Sequence, residues 1–461
     1  MFTTIGSKIT ITDPSPEVMS WCNDNLILDN PEYIKRAKMG FYTGKTPRKL
    51  VMYETNGNSV VVPFGCLRSL VPMLTGDHTT QFHKPEKIDF GGEVPLYDYQ
   101  EAAVQAMLSS RYGILQSPAG SGKTQIGIAI SQRLSVKTLW LTHTRDLLDQ
   151  SKDRAALYLN RDLLGTITEG EVNIGESMTF ATVQTMARLD LNQYRDEWDC
   201  VIVDECHRAA GTPTAVTMFS KVLNSLCARH KFGLTATPHR ADGMIKATYA
   251  LLGEVQYTVP DEAVKNRIMR VQIKPRGTGV KPSLEYANSD GTTNYTKFIN
   301  YLVQNEDRNE LILSDLRQNM EHSCLILSDR VEHLRYLKSQ LPAVMQLLAA
   351  VINGKMTSKT GKAERKQAIE DMREGNLRYL FATYSLAKEG LDIPRLDRLF
   401  MVTPQKDSAV IVQSVGRVAR TFPGKEQPVV YDYVDAIRSM QKAFKARCTS
   451  YRKIDCEIKE E

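Results

Sequence analysis

Three groups of residues in this chain have the types and spacing needed for phosphate chemistry. The first group follows a short apolar run, precedes a helix-like pattern and reads Ser117-Pro118-Ala119-Gly120-Ser121-Gly122-Lys123-Thr124. Glycines let backbone N–H groups approach a triphosphate, and the positive end of the following helix favours its negative charge. In such a loop Lys123 reaches the β- and γ-phosphates, and the Thr124 hydroxyl holds Mg²⁺. The segment therefore predicts a nucleotide-binding loop.

Two adjacent acids form the second group. Asp204 and Glu205 directly follow the apolar run 200–203. A strand of this kind places both carboxylates at the carboxyl edge of a parallel sheet, beside a phosphate-binding loop. Asp204 is suited to hold Mg²⁺, and Glu205 is suited to polarise an attacking water. Taken alone, the pair is equally well explained as a helix N-cap, and the upstream loop favours the catalytic interpretation.

Two arginines form the third group. Arg417 and Arg420 are three positions apart in a helix-like segment, so we expect both on one side of a short helix. An arginine supplied across a cleft stabilises the charge that gathers on a transferring γ-phosphoryl group. We predict this role for Arg420 first and for Arg417 second. The alternative is a basic helix surface.

The strand and helix patterns that must position these groups form two α/β series. Short apolar runs alternate with helical patterns in residues 93–255 and again in residues 321–461, which predicts βαβ crossovers and mainly parallel sheets. The predicted strands of the first series are 113–116, 138–142, 178–181, 200–203 and 231–234. Those of the second series are 323–328, 347–352, 379–383, 398–402 and 429–432. Residues 256–320 are expected to begin irregularly and to become helical from 294 to 319.

Residues 1–92 are predicted to form a small α+β accessory domain. The Asn56-Gly57 pair between the β-rich runs 49–53 and 59–63 predicts a hairpin. Basic residues without intervening acids occupy the stretch between Tyr33 and Tyr53, and their positions are Lys35, Arg36, Lys38, Lys45, Arg48 and Lys49. They indicate either a surface that binds nucleic-acid phosphates or a solvated basic face. The interleaved aromatics, which either stack on bases or belong to the core, are Tyr33, Phe41 and Tyr42.

Bulk composition sets the limits of these interpretations. The chain has 461 residues, enough for about three domains, and its 42% hydrophobic content allows sizeable cores. A net charge of +6 is compatible with a polyanionic partner. No apolar run approaches the roughly 20 residues that span a bilayer, and the N-terminus lacks a signal-peptide core. The eight scattered cysteines contain no Cys-x-x-Cys pair, so we expect reduced thiols in a soluble, cytoplasmic protein without a membrane partner.

Two motifs carry a family resemblance. Asp204-Glu205-Cys206-His207 matches an Asp-Glu-x-His signature, and the run 413–420 matches Gln-x-x-Gly-Arg-x-x-Arg. Over residues 95–435 the chain resembles the superfamily 2 DNA helicases and translocases of the DExH type. The Arg240-Ala241-Asp242 sequence after Thr-Pro, the run 305–309 and Ile352-Asn353-Gly354 favour the branch that contains XPB and UvsW. The size and the small N-terminal part resemble phage branched-DNA helicases. The phosphate-binding loop starts with Ser117 where the general pattern has glycine, and a small residue other than glycine is common at this position in helicase-type motors.

The resemblance implies roles for further residues. Adenine recognition is implied for Gln100 and for Tyr97, which stands where many relatives have Arg. Nucleic-acid contacts are implied for Thr144, Arg145, Thr182, Gln184, Arg240, Asn353 and Thr383. ATP contacts from the second domain are implied for Gly390 and Asp392. Coupling of hydrolysis to domain movement is implied for His207, Thr235, Thr237 and Gln413.

The resemblance also implies an overall function. It predicts two tandem RecA-like domains with parallel sheets, plus the α+β N-terminal accessory domain, that use ATP and Mg²⁺. We expect a monomer that unwinds or branch-migrates single-stranded, forked or branched DNA in replication, recombination or repair, with 3′→5′ movement. It would act in the host cytoplasm if phage-encoded. The alternatives are an RNA helicase, a duplex-DNA translocase that does not separate strands, and a non-catalytic module whose binding depends on nucleotide.

Overall fold

The computed structural model divides the chain into two compact units, Met1–Ala263 and Val264–Glu461. It describes residues 1–44, 46–118, 120–210, 213–236, 244–265, 268–288, 292–354, 356, 358–388 and 391–459. Within the part of the chain so described, no helix is long and apolar enough to cross a membrane. All eight cysteines are buried and none forms a disulfide.

The first 80 residues build a five-stranded sheet and a separate two-stranded ribbon. In chain order the elements are β1 (Phe2–Ile5), β2 (Lys8–Thr12), α1 (Pro16–Leu26), β3 (Ile27–Asp29), α2 (Pro31–Lys38), β4 (Lys49–Val51), β5 (Glu54–Asn56), β6 (Ser59–Pro63), α3 (Leu67–Leu70) and β7 (His78–Thr80). The sheet order is β5-β6-β2-β1-β7, and the antiparallel pair β3-β4 stands apart.

The predicted hairpin is present, but its first arm is shifted. β5 and β6 pair across the two-residue turn Gly57-Asn58, where Gly57 has a φ of 57°. A positive φ at the first turn position requires glycine, which explains the turn. Residues 49–51, predicted as that first arm, pair instead with β3. The run was misassigned because a strand's apolar pattern does not specify its partner.

The second part of the first unit is an eight-stranded sheet, nearly all parallel. Its elements are α4 (Asp98–Ser110), β8 (Tyr112–Gln116), α5 (Lys123–Leu134), β9 (Thr138–Thr142), α6 (Arg145–Ala155), β10 (Leu164–Thr168), β11 (Glu171–Asn173), β12 (Met178–Thr182), α7 (Val183–Met186), β13 (Cys200–Val203), α8 (Pro213–Ser225), β14 (His230–Thr235), α9 (Ile245–Leu252), β15 (Val255–Thr258) and α10 (Asp261–Lys265). The strand order is β11-β10-β12-β9-β13-β14-β8-β15, and only the β10–β11 pair is antiparallel. All five predicted strands are confirmed.

The N-terminal part packs mainly against α9, and the turn at Ser7 contacts β14 of the parallel sheet. Gly65 lies so close to the backbone of Gly253 that a Cβ would collide with it. The Cys66 thiol faces the Ala250 carbonyl at 3.7 Å, and the buried Lys231 ammonium donates to the Ser7 carbonyl at 3.0 Å. These contacts explain why residues 1–263 cluster as one compact unit.

The second unit contains a seven-stranded, fully parallel sheet. Its elements are β16 (Gln272–Gly277), α11 (Tyr295–Gln304), α12 (Glu306–Gln318), β17 (Cys324–Ser328), α13 (Val331–Ser339), α14 (Ala343–Leu347), β18 (Ala349–Ile352), α15 (Lys359–Glu374), β19 (Tyr379–Thr383), α16 (Tyr384–Lys388), β20 (Arg398–Met401), α17 (Ser408–Val418), β21 (Val429–Val434), α18 (Arg438–Lys453) and β22 (Glu457–Ile458). The strand order is β18-β19-β17-β20-β21-β16-β22.

Both faces of this sheet are buried, as expected for parallel strands covered by helices. Along β17, Leu325 and Leu327 belong to one apolar cluster, whereas Cys324 and Ile326 belong to another. Alternate side chains thus enter two cores on opposite faces of the sheet. This double burial gives the strands their continuous apolar runs. All five predicted strands of the series are present, but the one predicted at 347–352 begins at Ala349, because Leu347 is the last residue of α14.

Two features of the segment 256–320 differ from the sequence prediction. The irregular part contains β16, which pairs in register with β21. This strand was not predicted because it contains Pro275 and several polar residues, and a proline within a run argues against a central strand. The predicted helix 294–319 is two helices that meet at Asn305. The Asn305 side chain accepts from Arg308 N at 2.9 Å and so starts the second helix.

Candidate nucleotide site

The glycine-rich loop joins β8 to α5 in a conformation that depends on its glycines. Gly120 and Gly122 have φ angles of 83° and 78°, in the left-handed region that favours glycine. Gly122 directly precedes Lys123, the first residue of α5. The loop is also tied to the sheet, because Ser117 N donates to Thr235 O at 2.9 Å. Ala119 lies outside the described residues.

Internal hydroxyl contacts and Gln100 hold the loop in place. Ser121 Oγ donates to Pro118 O at 2.7 Å and lies 2.5 Å from Ser117 Oγ. The Gln100 side chain is almost fully buried; its Nε2 donates to Ser121 O at 2.9 Å, and its Oε1 accepts from Tyr97 N at 3.0 Å. Gln100 therefore braces the phosphate loop in this structure, a contact that its sequence position did not reveal.

Two tyrosines flank this brace. Tyr99 OH also donates to Ser121 O, at 3.0 Å. The Tyr97 ring is exposed and lies nearly parallel to the Tyr99 ring, with centroids 6.0 Å apart. An exposed aromatic face beside the loop suits stacking on a base. Adenine recognition by Tyr97 and Gln100 stays a prediction.

The acidic pair lies next to the loop lysine. Lys123 Nζ is 3.7 Å from Glu205 Oε1, and Glu205 Oε2 is 3.3 Å from His207 Nδ1. Glu205 has a φ of 46°, which is unusual for a residue with a side chain and turns the chain sharply after β13. Glu205 Oε2, the oxygen on the His207 side, is buried and makes no well-aligned hydrogen bond with any described residue. A buried carboxylate oxygen with spare acceptor capacity beside the loop lysine is suited to receive a proton from water.

A further contact connects the acids to the end of β14. His207 Nδ1 lies 3.0 Å from Thr235 Oγ1, and Thr235 O accepts from Ser117 N. Glu205, His207, Thr235 and the loop thus form one continuous set of contacts. The arrangement follows from the sheet order, which places β14 between β13 and β8.

The two carboxylates differ in their preference for a proton. Burial, followed by the charge of Glu205, raises the pKa of Asp204. Burial alone would also raise the pKa of Glu205, but the nearby charges of Lys123 and His207 lower it overall. The pair therefore favours a single negative charge. An added dication would stabilise the ionised form of Asp204.

The oxygen donors present fit Mg²⁺ bound with a nucleotide. In the described part of the chain, no three His, Cys, Asp or Glu side chains cluster as a self-contained metal site. Mg²⁺ in nucleotide sites is commonly held by one or two protein oxygens together with substrate phosphates and water. Asp204 and the hydroxyl of Thr124, at the start of α5, supply such oxygens.

The residues predicted to contact nucleic acid from the first unit lie at neighbouring strand ends. Thr144 and Thr182 are the N-cap residues that precede α6 and α7, and each hydroxyl accepts a hydrogen bond from a backbone N–H of its helix. Gln184 Nε2 donates to the His143 carbonyl at 2.9 Å and links the two turns. Arg145 pairs with Asp149 at 3.0 Å. Arg240 and Thr237 lie outside the described residues.

In the second unit, the two arginines differ from the sequence prediction. Arg417 lies in α17, but α17 ends at Val418, so Arg420 is outside the helix and pairs as a β-bridge with Ile268. They do not share one helix face. The helix ends at Val418 because the backbone of the next residues forms hydrogen bonds with the segment around Ile268. For example, Met269 N donates to Ala419 O at 2.7 Å.

The side chains of these arginines have distinct partners. Arg420 Nη1 donates to the carboxylate of Asp392, and Arg417 Nε donates to Ala387 O at 3.1 Å. The structure therefore brings together two residues, Arg420 and Asp392, that the sequence assigned separately to the ATP site. The Gln413 side-chain oxygen, also in α17, is buried and has no hydrogen-bond partner among the described residues.

The remaining predicted residues of the second unit follow β18 and β19. Thr383 ends β19, and its hydroxyl lies 3.0 Å from Ser385 Oγ. Asn353 directly follows β18 and is buried. Because β18 and β19 are neighbours, Asn353 and Thr383 lie at the same sheet edge. Gly390 lies outside the described residues.

Two family matches cover much of the chain. Residues 93–240 match the family described as type III restriction enzyme, res subunit, and residues 307–422 match the helicase conserved C-terminal domain. The first match contains the glycine-rich loop and the acidic pair. The second contains Arg417 and Arg420.

Curated relatives come from viruses and archaea. A putative ATP-dependent RNA helicase of Acanthamoeba polyphaga mimivirus is 26% identical over 92% of this chain and 78% of its own length. The DNA 3'-5' translocase XPB2 of Sulfurisphaera tokodaii is 24% identical over 71% of this chain and 79% of its own length. The probable helicase D10 of Escherichia phage T5 is 26% identical over 70% of this chain and 67% of its own length.

Among solved structures, S. cerevisiae Dbp5 bound to RNA and ADP BeF3 matches with a TM-score of 0.57 and 16% identity. The match covers 86% of this chain and 93% of that chain, and it confirms the predicted fold of tandem RecA-like domains. The two family matches and the archaeal and phage relatives identify the chain as a superfamily 2 helicase of the XPB-like type.

Proposed function

We propose that this helicase uses ATP and Mg²⁺ to unwind or branch-migrate forked or branched DNA. The observation that carries the proposal is the continuous set of contacts from Lys123 through Glu205 and His207 to Thr235. It connects a phosphate-binding loop and a buried acid to the end of a strand. DNA as the substrate is supported by the name of the archaeal relative, a DNA 3'-5' translocase.

Each residue of the site has a distinct proposed task. Lys123 neutralises phosphate charge, while Thr124 and Asp204 would hold Mg²⁺, which would supply positive charge to offset that of the nucleotide phosphates. Glu205, kept ionised by Lys123, orients the attacking water and accepts its proton. His207 contacts both Glu205 and Thr235, and we propose that it couples hydrolysis at Glu205 to movement of the segment that contains Thr235 and Thr237.

Arg417 and Arg420 are proposed to stabilise the charge on the γ-phosphoryl group. In the second unit Arg420 is paired with Asp392. We propose that this pairing holds the guanidinium until the more highly charged phosphate competes for it. Loss of the phosphate after hydrolysis would allow Arg420 to pair with Asp392 again. Gly390, in the same sequence motif as Asp392, is proposed to contact ATP as well.

Nucleic acid is proposed to contact the carboxyl-edge turns of each sheet. In the first unit these contacts come from Thr144, Arg145, Thr182 and Gln184, and in the second from Asn353 and Thr383. Hydroxyl, amide and guanidinium donors suit phosphate oxygens, which carry no sequence information. Binding should therefore be sequence-tolerant and should weaken as salt rises.

The decisive experiment measures ATP hydrolysis and strand separation with single-stranded, duplex, forked and four-way DNA and with RNA. We expect DNA to stimulate hydrolysis and forked DNA to be unwound. Lys123→Ala should lower stimulated hydrolysis by about 100-fold or more, because the lysine stabilises transferring charge. Lys84→Ala, which changes an exposed lysine, is the matched control. Absence of any polynucleotide stimulation in the wild type would contradict the proposal and favour a non-catalytic binding module.

An RNA helicase is the second candidate, and the name of the mimivirus relative favours it. The same panel separates the two, because an RNA helicase would show stronger stimulation by RNA than by DNA of equal sequence. A duplex-DNA translocase would instead displace a triplex-forming strand without separating the duplex. Strand-displacement and triplex-displacement assays performed side by side distinguish these activities.

A further inference from the structure

Residues 30–48, here called the basic–aromatic excursion, bury almost nothing. Of the described residues in this segment, only Asn30 is buried, and α2 contributes no residue to a core. Phe41 is 61% exposed and Tyr42 is 78% exposed. Among the described residues, five of the fifteen exposed large hydrophobic side chains lie between positions 34 and 51, and they are Ile34, Met39, Phe41, Tyr42 and Val51. Such a concentration of exposed apolar side chains commonly marks a binding surface.

The two ends of the excursion are fastened together. Asn30 Oδ1 accepts from Glu32 N at 3.0 Å and caps α2. Its Nδ2 donates to Pro47 O at 2.7 Å, and its backbone N–H donates to Arg48 O at 3.1 Å. One buried side chain thus closes the loop at its base. The segment is a folded protrusion with defined ends.

The backbone that carries the two aromatics is also fixed. Gly40, with a φ of 69°, ends α2, and its N–H donates to Ala37 O at 3.1 Å. Phe41 N donates to Arg36 O at 2.9 Å, which completes a Schellman motif. Arg36 Nε then donates to Tyr42 O at 3.0 Å. Phe41 and Tyr42 are therefore presented to solvent from an ordered turn, so little conformational entropy is lost when they bind.

Positive charge surrounds these aromatics. Arg36 is partly neutralised by Glu32, with the two charged groups 3.7 Å apart. Lys35 and Lys38 are exposed and form no salt bridge with any described residue. Arg48 adds a further cation at the base of the excursion. The surface is thus complementary to a polyanion.

We propose that the basic–aromatic excursion binds branched DNA where the duplex opens, stacking Phe41 and Tyr42 on unpaired bases while Lys35 and Lys38 contact phosphates. Bases inside a duplex already stack on each other, whereas unpaired bases at a branch offer free faces to aromatic rings. The combination of rings and cations therefore favours a junction over a uniform duplex. The inference rests on the proposed function and adds the site that recognises the branch.

The test compares binding of a fork and of a blunt duplex of equal length without ATP. The double variant Phe41→Ala/Tyr42→Ala should bind the fork about tenfold more weakly, whereas its duplex affinity should change less than twofold. The control Tyr336→Ala removes an exposed tyrosine of the second unit. Thermal unfolding of each variant verifies folding. A 2-aminopurine base at the branch should lose fluorescence on binding the wild type but not the double variant.

A charge variant separates stacking from phosphate attraction. Lys35→Gln/Lys38→Gln should weaken fork and duplex binding alike and reduce the slope of log affinity against log salt by about 2. The aromatic variant should keep the wild-type slope. Equal salt slopes for wild type and charge variant would overturn the phosphate contact.

Three results would overturn the stacking contact. They are wild-type fork binding by the aromatic variant, equal loss of fork and duplex binding, and a self-association of the wild type that the aromatic variant abolishes. The last would assign the surface to a second copy of the chain. These outcomes leave the proposed function intact if the wild type still shows DNA-stimulated hydrolysis. Absence of that stimulation with intact fork binding would contradict only the proposed function.

Discussion

At the scale of single residues, Gly122 combines two constraints. Its φ of 78° disfavours any residue with a side chain, and an added Cβ would collide with Gln100 Nε2. The first constraint belongs to the backbone alone. The second would dislodge the side chain that braces the phosphate loop through Ser121 O. The loop conformation therefore depends on the contact of Gln100 with Ser121, residues 21 positions apart.

We predict that Gly122→Ala weakens ATP binding by about tenfold, because the strained position and the displaced Gln100 both shift the loop. Gly170→Ala is the matched control, since Gly170 has a φ of 91° but no atom of any described residue within 4 Å of its added Cβ. Both variants should lose roughly 1–2 kcal/mol of stability from the backbone strain. Titration with a fluorescent ATP analogue checks the difference, and equal affinities for both variants would contradict it.

His333 is a buried neutral histidine in the second unit. Its Nε2 donates to Asn309 Oδ1 at 2.9 Å, and its Nδ1 lies 3.2 Å from Ser328 Oγ. Burial, with a smaller contribution from Arg308, lowers its pKa from 6.5 to about 3. The unfolded state therefore binds a proton below pH 6.5 that the folded state does not bind. Stability must fall as the pH drops through this range.

The corresponding prediction concerns His333→Gln. The variant should be less stable than wild type at pH 7, because a buried hydrogen bond is weakened. This difference should shrink by about 2 kcal/mol between pH 7 and pH 5, since only the wild type takes up the proton on unfolding. Urea denaturation at several pH values measures it. A difference that is constant with pH would exclude the assigned neutral state.

At the scale of elements, α12 is anchored through Arg308 rather than through apolar contacts alone. Arg308 is fully buried; its Nε donates to Asp435 Oδ1 at 3.0 Å, and its Nη1 donates to Val402 O at 2.7 Å. Asp435 also accepts from Thr278 Oγ1 at 2.6 Å. These bonds connect α12 with the ends of β20, β21 and β16. The run 305–309, which the sequence marked as a branch signature, thus has a structural role.

We predict that Arg308→Met destabilises the second unit by about 3–5 kcal/mol, because Asp435 becomes a buried unpaired charge. Adding Asp435→Asn should recover part of this loss by removing that charge. Arg317→Ala, which breaks an exposed pair with Glu310, should cost no more than about 1 kcal/mol. Circular dichroism detects the transitions. Equal effects of the Arg308 and Arg317 variants would contradict the prediction.

At the scale of the whole molecule, residues 1–80 belong to the same compact unit as the first parallel sheet. Lys231, fully buried in β14, donates to Leu223 O at 2.6 Å and to Ser7 O, and its ammonium lies 5.1 Å from the centre of the Phe64 ring. Burial lowers the pKa of Lys231 to about 7. Removing residues 1–92 would uncover these groups. Point substitutions in the basic–aromatic excursion therefore test DNA binding better than a deletion.

We predict that Lys231→Met destabilises the first unit by about 1–3 kcal/mol and leaves the second unchanged, because the buried Leu223 carbonyl and the partly buried Ser7 carbonyl lose their donor. The three tryptophans, Trp21, Trp140 and Trp198, all lie in the first unit, so their fluorescence reports that unit alone. The fluorescence midpoint in urea should shift for Lys231→Met and stay fixed for Arg308→Met. A shift of the fluorescence midpoint in both variants would show that the units do not unfold independently.

The two parallel sheets and the order of the motifs could be predicted from local sequence patterns. The strands 138–142, 200–203 and 379–383 were predicted to the residue, because strands buried on both faces have continuous apolar runs. The glycine-rich loop, the acids after β13 and the family signatures are local patterns of the same kind. Such patterns can be recognised in the sequence without knowledge of what the segment packs against.

The contacts among these residues, in contrast, could not be predicted before the fold was known. The contacts of Gln100 with the loop, of His207 with Thr235 and of Arg420 with Asp392 join residues distant in the chain. They depend on strand order and on where each helix ends, which local periodicity does not encode. β16 was likewise missed, because its pairing with β21 outweighs an unfavourable sequence. The sequence also left open whether Phe41 and Tyr42 lie on the surface or in a core. In the structure both side chains are exposed to solvent.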